Sequence, residues 1–524
     1  MVDFSQYSWL IPALPITASA LIAAGYLYGS NRGEKGEGIT GGLAIWFSTL
    51  SLLLLLAIDI QAILNGAAPG QVQYTSWINS GDFTVLLSFT LDILGLSIAT
   101  LFAFLCVLVI RFSRNYIHRE VAFHRFHIIL LLFMSAMLLI VMAGNVALVF
   151  VGWELAGVSS YLLIAYAHTR PVAAENATRA FITNRIGDAG FLMGIALSFF
   201  WLQGIEWPVI ARNAPGLDVL HAGIIAAAFL IAAMAKSGQV PFSPWISRSL
   251  EGPTPSSAIF YGSLMVHVGV YLVIRMQPVF EQAPEMMVAL IIIGLLTAVY
   301  GFLCGLVQAD TKSILMFSTL SHVGLMFVAS GLGYFEAATW YMLAHASWRA
   351  YQFLSAPSVI QLMEHPTRPV PHWLRKLRWL YTASLQRFWL DNAAQGLIVR
   401  PTQSLARDTN GFDERVVNRI AGLPDTAGAV SSIGQWEARK YQSDTHVINN
   451  SNNVGKGKGA MGKLMELVAS LMHWFEDHLV LKGTDEGLLK VIHRIGNYLI
   501  DVDEILSKPR YLLTIIIITF VVII

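Results

Sequence analysis

Five ionisable side chains stand inside long apolar stretches of this sequence. Glu154 lies within one apolar run, Lys236 ends the run from Ile224 to Ala235, His322 lies in the middle of another, and His345 and Arg349 are four residues apart in a further one. Ionisable groups inside a membrane span are costly and usually functional. Residues four apart also share one face of a helix. These residue types at these depths indicate a path for protons or sodium ions.

The residues after Lys236 predict a broken helix. Gly238, Pro241 and Pro244 follow the lysine within eight positions, and proline in a helix interior removes a hydrogen bond and clashes with the preceding turn. Irregular backbone at membrane depth is tolerated where it lines a polar cavity or is buried in protein, and broken helices mark ion sites in transporters. A nearby carboxylate would keep a buried lysine charged. The hypothesis is a proton switch formed by Glu154 and Lys236.

Structural roles compete with conduction at several of these positions. A lone intramembrane histidine such as His322 often serves only in hydrogen-bonded packing. Arg349 could extend its charged end to the membrane interface. Asp188 could act only as the partner of Arg185, three residues earlier. A purely structural role is least expected for Glu154 and Lys236 taken together.

The composition indicates an integral membrane protein. Of 524 residues, 55% are hydrophobic and 13% are charged, and the mean hydropathy is +0.59. Soluble domains carry about 25% charged residues. The net charge of +1 and the lack of a basic stripe argue against nucleic acid. The two cysteines suit neither a disulfide framework nor a cysteine-ligated cluster, and no metal site or cofactor is predicted in this chain.

Eleven apolar stretches are long enough to span a bilayer, followed by a polar region and one terminal span. The predicted spans are 9–28, 41–63, 83–110, 126–144, 146–167, 180–203, 220–238, 255–275, 286–307, 313–332, 336–362 and 511–524. Basic residues concentrate in the odd-numbered loops. Because positive loops stay cytoplasmic, this places the N-terminus outside and residues 363–510 in the cytoplasm.

The predicted domains are therefore 1–362, a transmembrane bundle; 363–510, cytoplasmic helices and a linker; and 511–524, a C-terminal transmembrane helix. Residues 373–405 are amphipathic, with Leu385, Phe388 and Trp389 on one face, and predict an interfacial helix against lipid. Residues 464–475 predict a second amphipathic helix. Packing against the protein's own helices is an equal alternative for both.

Several ordered motifs resemble a known family. They are Phe150-Val151-Gly152-Trp153-Glu154-Leu155, Asn184-Arg185-Ile186-Gly187-Asp188, Lys236-Ser237-Gly238-Gln239-Val240-Pro241-Phe242, Glu251-Gly252-Pro253-Thr254-Pro255-Ser256-Ser257-Ala258 and Asp310-Thr311-Lys312-Ser313-Ile314-Leu315. They are similar to the antiporter-like subunits of respiratory complex I and of Mrp antiporters, above all the L-type subunit, over residues 80–362. The resemblance implies an all-α antiporter-like bundle in which Glu154 and Lys236 form the switch pair.

The chain also departs from that family's pattern. A family lysine in the eleventh span corresponds to Arg349, and a family histidine early in the eighth span corresponds to Tyr261, with His267 six residues later. Arginine does not readily release its proton, so Arg349 is expected to be a fixed charge or gate. L-type subunits continue into further spans with a second broken helix, whereas here span 336–362 leads directly into the polar region.

A shorter relative, the DabB family, fits these departures through Phe260-Tyr261-Gly262-Ser263-Leu264-Met265-Val266-His267 and Arg349-Ala350-Tyr351-Gln352-Phe353-Leu354-Ser355-Ala356-Pro357-Ser358. This resemblance implies a bacterial inner-membrane subunit that conducts H⁺ or Na⁺ and so energises inorganic-carbon uptake by a cytoplasmic zinc protein, DabA. The expected partners are DabA in a heteromeric complex and further copies in a higher-order assembly. The alternatives are a subunit of a redox-driven complex, of the complex I or membrane hydrogenase type, and a non-conducting membrane anchor.

Overall fold

This computed structural model describes residues 3–80, 83–262, 265–356 and 369–412. Contacts within the chain divide it into two units, Met1–Arg400 and Pro401–Ile524. The predicted amphipathic helix at 464–475 and the predicted span 511–524 lie outside the described residues. In the second unit only residues 401–412 are described, and they continue the helix Arg400–Phe412.

The first unit opens with two helices and a β-hairpin. Its elements are α1 (Leu10–Leu27), α2 (Gly33–Asn65), β1 (Gly70–Ser80) and β2 (Phe83–Leu91). The strands pair antiparallel, with Gly70 opposite Leu91. The prediction that a span begins at residue 83 is therefore wrong. Apolar Val85, Leu87, Phe89 and Leu91 alternate with other residues, which is the two-residue period of a strand, and helix α3 starts only after Asp92.

Four long helices follow the hairpin: α3 (Ile93–Tyr116), α4 (Phe123–Met142), α5 (Val146–Ile164) and α6 (Pro171–Leu202). Asp92 caps the start of α3, and its carboxylate accepts a hydrogen bond from the Gly95 amide at 2.8 Å. Asn145 caps the start of α5, and its side chain accepts a hydrogen bond from the Leu148 amide at 2.8 Å. Such side-chain caps satisfy amides that have no partner inside the helix. Among the candidate spans of the described residues, α4 is the most enclosed by protein.

The middle of the unit contains short helices and two interruptions. The elements are α7 (Trp207–Asn213), α8 (Val219–Ser237), α9 (Pro244–Arg248), α10 (Thr254–Gly262), α11 (Val268–Arg275) and α12 (Gln277–Phe280). The break after α8 lies where glycine and proline predicted it. The prediction of one continuous span over 255–275 is wrong, because α10 and α11 are separate helices. Neither half is long enough to cross a bilayer alone.

Three further helices, α13 (Pro284–Gly305), α14 (Thr311–Gly331) and α15 (Phe335–Leu354), complete the bundle. Within the described residues, nine helices are long and apolar enough to span a membrane. This is fewer than the eleven predicted spans, because the α10–α11 stretch is interrupted and α15 carries several polar side chains. The chain is a multi-pass, mostly helical membrane protein; span 336–362 continues beyond α15 into residues that are not described.

Residues 369–400 form several short helices, so the prediction of one continuous helix over 373–405 is wrong, while its place at the membrane interface stays a prediction. They are α16 (His372–Lys376), α17 (Arg378–Leu385) and α18 (Leu390–Ala394), and α19 (Arg400–Phe412) follows. The interruption lies at Arg387, Phe388 and Trp389, whose φ angles of 51°, 54° and 54° are left-handed. That conformation costs roughly 1–2 kcal/mol per residue. These residues also contact the helix bundle: the centre of the Phe388 ring lies 6.1 Å from the centre of the Tyr300 ring on α13.

Candidate ion-conducting site

At the break after α8, side chains donate hydrogen bonds to backbone carbonyl groups and stabilise the irregular backbone. Gly238 ends the helix with a left-handed φ of 58°, and a Cβ there would collide with the side chain of Ile246. The Trp245 indole donates to the Ala235 carbonyl at 2.8 Å, and the Ser243 hydroxyl donates to the Gly238 carbonyl at 2.8 Å. The break therefore holds Lys236 at a fixed position inside the protein.

A cluster of charges surrounds this lysine on α5 and α6. Arg185 pairs through Nη1 with Glu154 and places Nη2 2.8 Å from Oδ2 of Asp188. The indole of Trp153 donates to Oδ1 of Asp188 at 2.7 Å. We refer to Glu154, Arg185, Asp188 and Lys236 as the charge cluster. One arginine thus bridges two carboxylates that a low-dielectric interior would otherwise leave unpaired.

Lys236 is 1% exposed and belongs to this cluster without pairing directly with Glu154. Its Nζ donates to the main-chain carbonyl of Trp153 at 3.1 Å and lies 5.2 Å from the centre of the Trp153 ring. Lys236 interacts electrostatically with Asp188 and, more weakly, with Glu154. The side-chain partner of Glu154 is Arg185, so a switch here would involve all four charges.

A second group of polar side chains lies on α11, α14 and α15. Nε2 of His267 is 2.9 Å from Nδ1 of His345, and the rings of His322 and His345 are 4.9 Å apart. Nδ1 of His322 is 2.5 Å from the hydroxyl of Tyr341. We call His267, His322, Tyr341, His345 and Arg349 the histidine cluster. Imidazoles can accept and release protons near neutral pH, so neighbouring histidines can pass a proton between them.

Arg349 forms one wall of a cavity beside these histidines. It is 3% exposed, so it does not extend to the protein surface. Its Nη2 donates to the Ser318 hydroxyl at 2.9 Å and lies 3.4 Å from Nε2 of His345. The cavity has a volume of about 390 Å³, and His322 and Ser318 line both it and a neighbouring cavity of about 320 Å³. His322 therefore lies where two cavities meet.

Two polar residues of the break after α8, Ser237 and Gln239, follow Lys236 in the sequence and precede His267. Among the described atoms, Oγ of Ser237 and Oε1 of Gln239 are buried and accept or donate no hydrogen bond. Ser237 packs against Gly269, two residues after His267. Buried polar atoms of this kind are usually satisfied by ordered water. The break thus offers polar groups between Lys236 and His267.

Tyr261 lies apart from the histidine cluster in its described contacts. It is fully buried, donates to the Ile246 carbonyl at 2.7 Å, and contacts the hydroxyl of Ser249. Its ring stacks on Phe353 at 5.1 Å. Tyr261 therefore braces α9 against α15, and its predicted place on an ion pathway stays a prediction.

Sequence reasoning missed three contacts in or beside these clusters. The bridging of Glu154 by Arg185, the indole donor of Trp153 and the Tyr341 hydroxyl were not anticipated. Helical spacing held part of the signal, because Tyr341 lies four residues before His345 and so shares its face. The contact of Arg185 with Glu154 joins two helices, and no local pattern in a single sequence reveals such a pairing.

The sequence matches two families of membrane subunits. Residues 143–381 match the family described as NADH:quinone oxidoreductase/Mrp antiporter, transmembrane. Residues 77–127 match the one described as NADH-ubiquinone oxidoreductase (complex I), chain 5 N-terminus. The first match contains both clusters, from Trp153 to Arg349.

Individual relatives agree with these families. The chain is 36% identical over 371 residues to the chloroplast NAD(P)H-quinone oxidoreductase subunit 5 of Ipomoea purpurea. The aligned region covers 68% of this chain and 51% of that protein. It is 37% identical over 372 residues to the same subunit of Nephroselmis olivacea, covering 70% and 57%. The chain therefore spans about half the length of the curated relatives it matches.

Two solved structures share the fold. One is the Mrp complex from Dietzia sp. DQ12-45-1b, with a TM-score of 0.58, 24% identity, and coverage of 66% of this chain and 37% of that one. The other is the membrane-bound sulfane sulfur reductase, an archaeal respiratory membrane complex, with a TM-score of 0.55, 18% identity, and coverage of 66% and 55%. The matched residues, 77–127 and 143–381, are thus similar to the antiporter-like membrane subunits of complex I and of Mrp antiporters.

Proposed function

We propose that this chain conducts protons or sodium ions across a membrane as one subunit of a heteromeric complex. The observation that supports this most is the charge cluster beside the broken helix, where Lys236 is 1% exposed and Asp188 is 4% exposed. Buried charges cost several kcal/mol each, and a protein that needed only a membrane anchor would gain stability from apolar residues there. A non-conducting anchor is therefore disfavoured.

The chemistry of the four charges suits a switch. Arg185 keeps its proton and acts as a fixed charge, whereas an amine and two carboxylates can exchange protons. When Lys236 gives up its proton, the two carboxylates keep Arg185 as their only cation. When Lys236 regains it, the cluster is balanced again. Each proton passed along would alter how Arg185 divides its bonds between Glu154 and Asp188.

The proposed partner complex is a redox-driven one. The named relatives are NAD(P)H-quinone oxidoreductase subunits, and one of the two structural neighbours is a respiratory complex. In such an assembly, other subunits carry out electron transfer, and this chain translocates ions. Its proposed setting is a bacterial inner membrane with the N-terminus outside and residues 363–510 in the cytoplasm, where they would contact lipid or partner subunits.

A second candidate is the membrane subunit of an inorganic-carbon uptake system of the DabB type. The observation that favours it is Arg349 at a family lysine position, together with the motifs around residues 260–267 and 349–358. The partner would then be a DabA-like cytoplasmic zinc protein, with the zinc held by that partner. The curated relatives named above are NAD(P)H-quinone oxidoreductase subunits, so the redox candidate has the stronger support.

The test combines identification of the partner with a transport assay. The complex would be purified through this chain from its native membrane: iron–sulfur subunits support the redox candidate, and a zinc carbonic-anhydrase-like protein supports the other. The same complex in proteoliposomes would be assayed for proton and sodium flux, with Lys236→Ala expected to abolish flux. The matched control is Lys35→Ala, at an exposed position of α2. Equal flux from both variants would overturn the conduction proposal.

A further inference from the structure

Arg349 is a buried arginine to which the described residues supply no counter-charge. Two other buried arginines differ in this respect, since Arg185 pairs with two carboxylates and Arg275 pairs with Asp92. Arg349 is 3% exposed, and no carboxylate of the described residues pairs with it. A buried charge without a partner is strongly unfavourable. The position therefore favours a negative charge that comes from outside these residues.

Much of the hydrogen-bonding capacity of Arg349 is also unused. A guanidinium has five N–H groups. Among the described atoms, Nη2 donates to the Ser318 hydroxyl at 2.9 Å and lies 3.4 Å from Nε2 of His345, whereas Nε is buried without a hydrogen bond. The planar fork of a guanidinium matches the two oxygens of a planar oxyanion. Ser318 accepts from Nη2 and keeps its own proton to donate.

The cavity of about 390 Å³ beside this arginine has a lining that suits an anion. It lies between α14 and α15, and its volume is within the range of roughly 300–1,000 Å³ that is usual for small-molecule sites. Its polar lining residues are Ser318, His322, Tyr341, His345, Arg349 and Gln352, and the described lining contains no acid. A cation in this cavity would meet a fixed positive charge, whereas an anion would meet hydrogen-bond donors.

The neighbouring cavity of about 320 Å³ extends toward the polar part of the chain. Gln308, Pro369 and Pro371 are among its lining residues, and it shares Ser318 and His322 with the cavity beside Arg349. The two cavities therefore adjoin one another. Residues 369–371 belong to the region predicted to be cytoplasmic, so this arrangement favours an anion that arrives from water.

We propose that the cavity beside Arg349 binds a small planar oxyanion with one negative charge, either bicarbonate or the carboxylate of a small organic acid. Its oxygens would accept hydrogen bonds from the unused N–H groups of Arg349 and from the Ser318 hydroxyl. Chloride offers no pair of oxygens to the planar fork, and a doubly charged oxyanion exceeds the charge of one guanidinium. Binding of this kind goes beyond the proposed function and does not depend on it.

A bound anion would alter the electrostatics of the histidine cluster. A protonated His345 would place a second positive charge beside Arg349, because Nε2 of the histidine is 3.4 Å from Nη2 of the arginine. A neighbouring like charge disfavours that protonated form. The anion would supply the missing counter-charge and allow both side chains to be positive. We therefore expect proton flux to depend on the anion, and this consequence alone rests on the proposed conducting function.

The experiment measures the binding of carbon-14-labelled formate and bicarbonate to the purified complex in detergent, at fixed pH and with chloride to balance ionic strength. We expect saturable binding by the wild type. Arg349→Gln should weaken it about tenfold or more, because both the charge and the planar fork are lost. Arg349→Lys should give an intermediate affinity, since the charge remains without the fork. Arg212→Gln, at an exposed position of α7, is the matched control.

Thermal unfolding of the same proteins provides a second measurement. A ligand that binds only the folded state stabilises it, so formate should raise the melting temperature of the wild type and of Arg212→Gln above that in chloride. Arg349→Gln should show no such rise. In chloride alone this variant should melt no lower than the wild type, because it has lost an uncompensated buried charge. That result also shows that the variant is folded.

Binding that is lost in Arg349→Gln and kept in Arg212→Gln supports the site, and the more tightly bound of the two anions identifies the source. The proposal is overturned if neither anion binds saturably, if Arg349→Gln binds as well as the wild type, or if chloride at equal concentration displaces the label. In the first case the counter-charge would have to come from a partner subunit's carboxylate. If Arg349→Gln fails to assemble, unchanged affinity in both Arg349→Lys and Ser318→Ala overturns it.

The flux assay keeps this proposal separate from the proposed function. A complex that binds the anion in proteoliposomes but conducts no ion contradicts the conducting function and leaves the anion site intact. A complex that conducts protons equally well with formate, bicarbonate or chloride, although the anion binds, contradicts only the expected dependence of flux on the anion. A complex that conducts but binds neither anion contradicts only the anion site.

Discussion

The ammonium group of Lys236 lies 3.1 Å from the main-chain carbonyl oxygen of Trp153. The indole of the same tryptophan donates to Asp188 at 2.7 Å. Trp153 therefore touches the cluster's lysine through its backbone and one of the cluster's acids through its side chain. A change that removes only the indole N–H would test whether the position of Asp188 matters for conduction.

We expect Trp153→Phe to lower proton flux roughly tenfold or more while preserving assembly. Phenylalanine keeps an aromatic ring and the backbone carbonyl but loses the bond to the carboxylate, and a hydrogen bond to a charged group contributes about 1.5–3 kcal/mol. Flux into proteoliposomes, followed with a pH-sensitive dye, measures the effect. Trp340→Phe is the control, since Trp340 is 64% exposed. Equal flux in the two variants would contradict a positioning role for Trp153.

The histidine cluster gives a second prediction. His345→Ala should abolish or strongly reduce flux, because His345 is the member in contact with His267, His322 and Arg349. His345→Gln should restore part of it by supplying a donor and an acceptor. His221→Ala is the control, since this side chain is 41% exposed. Full flux in His345→Ala would remove this cluster from the pathway.

A stability prediction concerns Asp92, which pairs with Arg275 through both carboxylate oxygens. The Arg275 side chain is 7% exposed and also donates to the Tyr271 hydroxyl at 2.8 Å. Asp92→Asn should lower the stability by about 1–2 kcal/mol, because the buried Arg275 loses its carboxylate partner, while the 39% exposure of Asp92 screens the pair and keeps the loss below that of a fully buried pair. Asp218→Asn is the control at a surface pair with His221. Equal melting temperatures for the two variants would show that the pair is dispensable.

The carboxyl of Glu206, in the loop before α7, predicts a pH dependence. Its described partners are neutral donors: Gln71 at 2.8 Å, Asn145 at 3.0 Å and Ser88 at 3.1 Å. Burial raises its pKa above the ordinary value, although these hydrogen bonds oppose the shift. Between the two pKa values the folded state binds more protons than the unfolded state, so its stability falls as pH rises.

We therefore expect the wild-type melting temperature to fall relative to that of Glu206→Gln as the pH rises from 4.5. The glutamine has no proton to lose, so its curve lacks this contribution. Thermal unfolding followed at several pH values in one detergent measures the difference. Parallel curves for the two proteins would mean that Glu206 titrates normally in the folded state.

The sequence predicted some elements because their cause is local. Glycine and proline after Lys236 end a helix whatever surrounds them, and the break after α8 is found there. The strand Phe83–Leu91 was misassigned because a long apolar run hid its two-residue alternation. The separation of α10 from α11 carries no proline or charge to mark it. Gly262 closes α10, but a single glycine within an apolar run does not by itself predict the end of a helix.

For the candidate site, too, the sequence predicted the features with a local cause and not the contacts between helices. Burial of Lys236, Asp188 and His345 follows from their places in apolar runs. Their partners do not, because Arg185 bridges acids on two different helices and such a contact leaves no local signal in one sequence. Arg349 is an example. The sequence allowed its side chain to lie either at the membrane interface or in the interior, and the structure places it in the interior, in contact with Ser318 and His345.

The last prediction concerns Asp391, which connects residues 387–391 with α9. Its Oδ2 lies 3.4 Å from Nη2 of Arg248 on α9 and 3.3 Å from Nη1 of Arg387. Nη1 of Arg387 also donates to Ser247 on α9 at 2.9 Å. Because α9 follows the break at Lys236, these contacts restrain the second half of the broken helix. The left-handed backbone at residues 387–389 depends on such contacts to persist.

We expect Asp391→Asn to increase uncoupled proton leak several-fold while changing the melting temperature little. Partly exposed ion pairs contribute only about 0–1 kcal/mol to stability, so the fold should survive. The loss of restraint on α9 would nevertheless let the break move without a signal from a partner subunit. Passive proton leak into proteoliposomes in the absence of substrate is the measurement, with Asp408→Asn on α19 as the control. An unchanged leak in Asp391→Asn would show that residues 387–391 hold α9 in place without gating conduction.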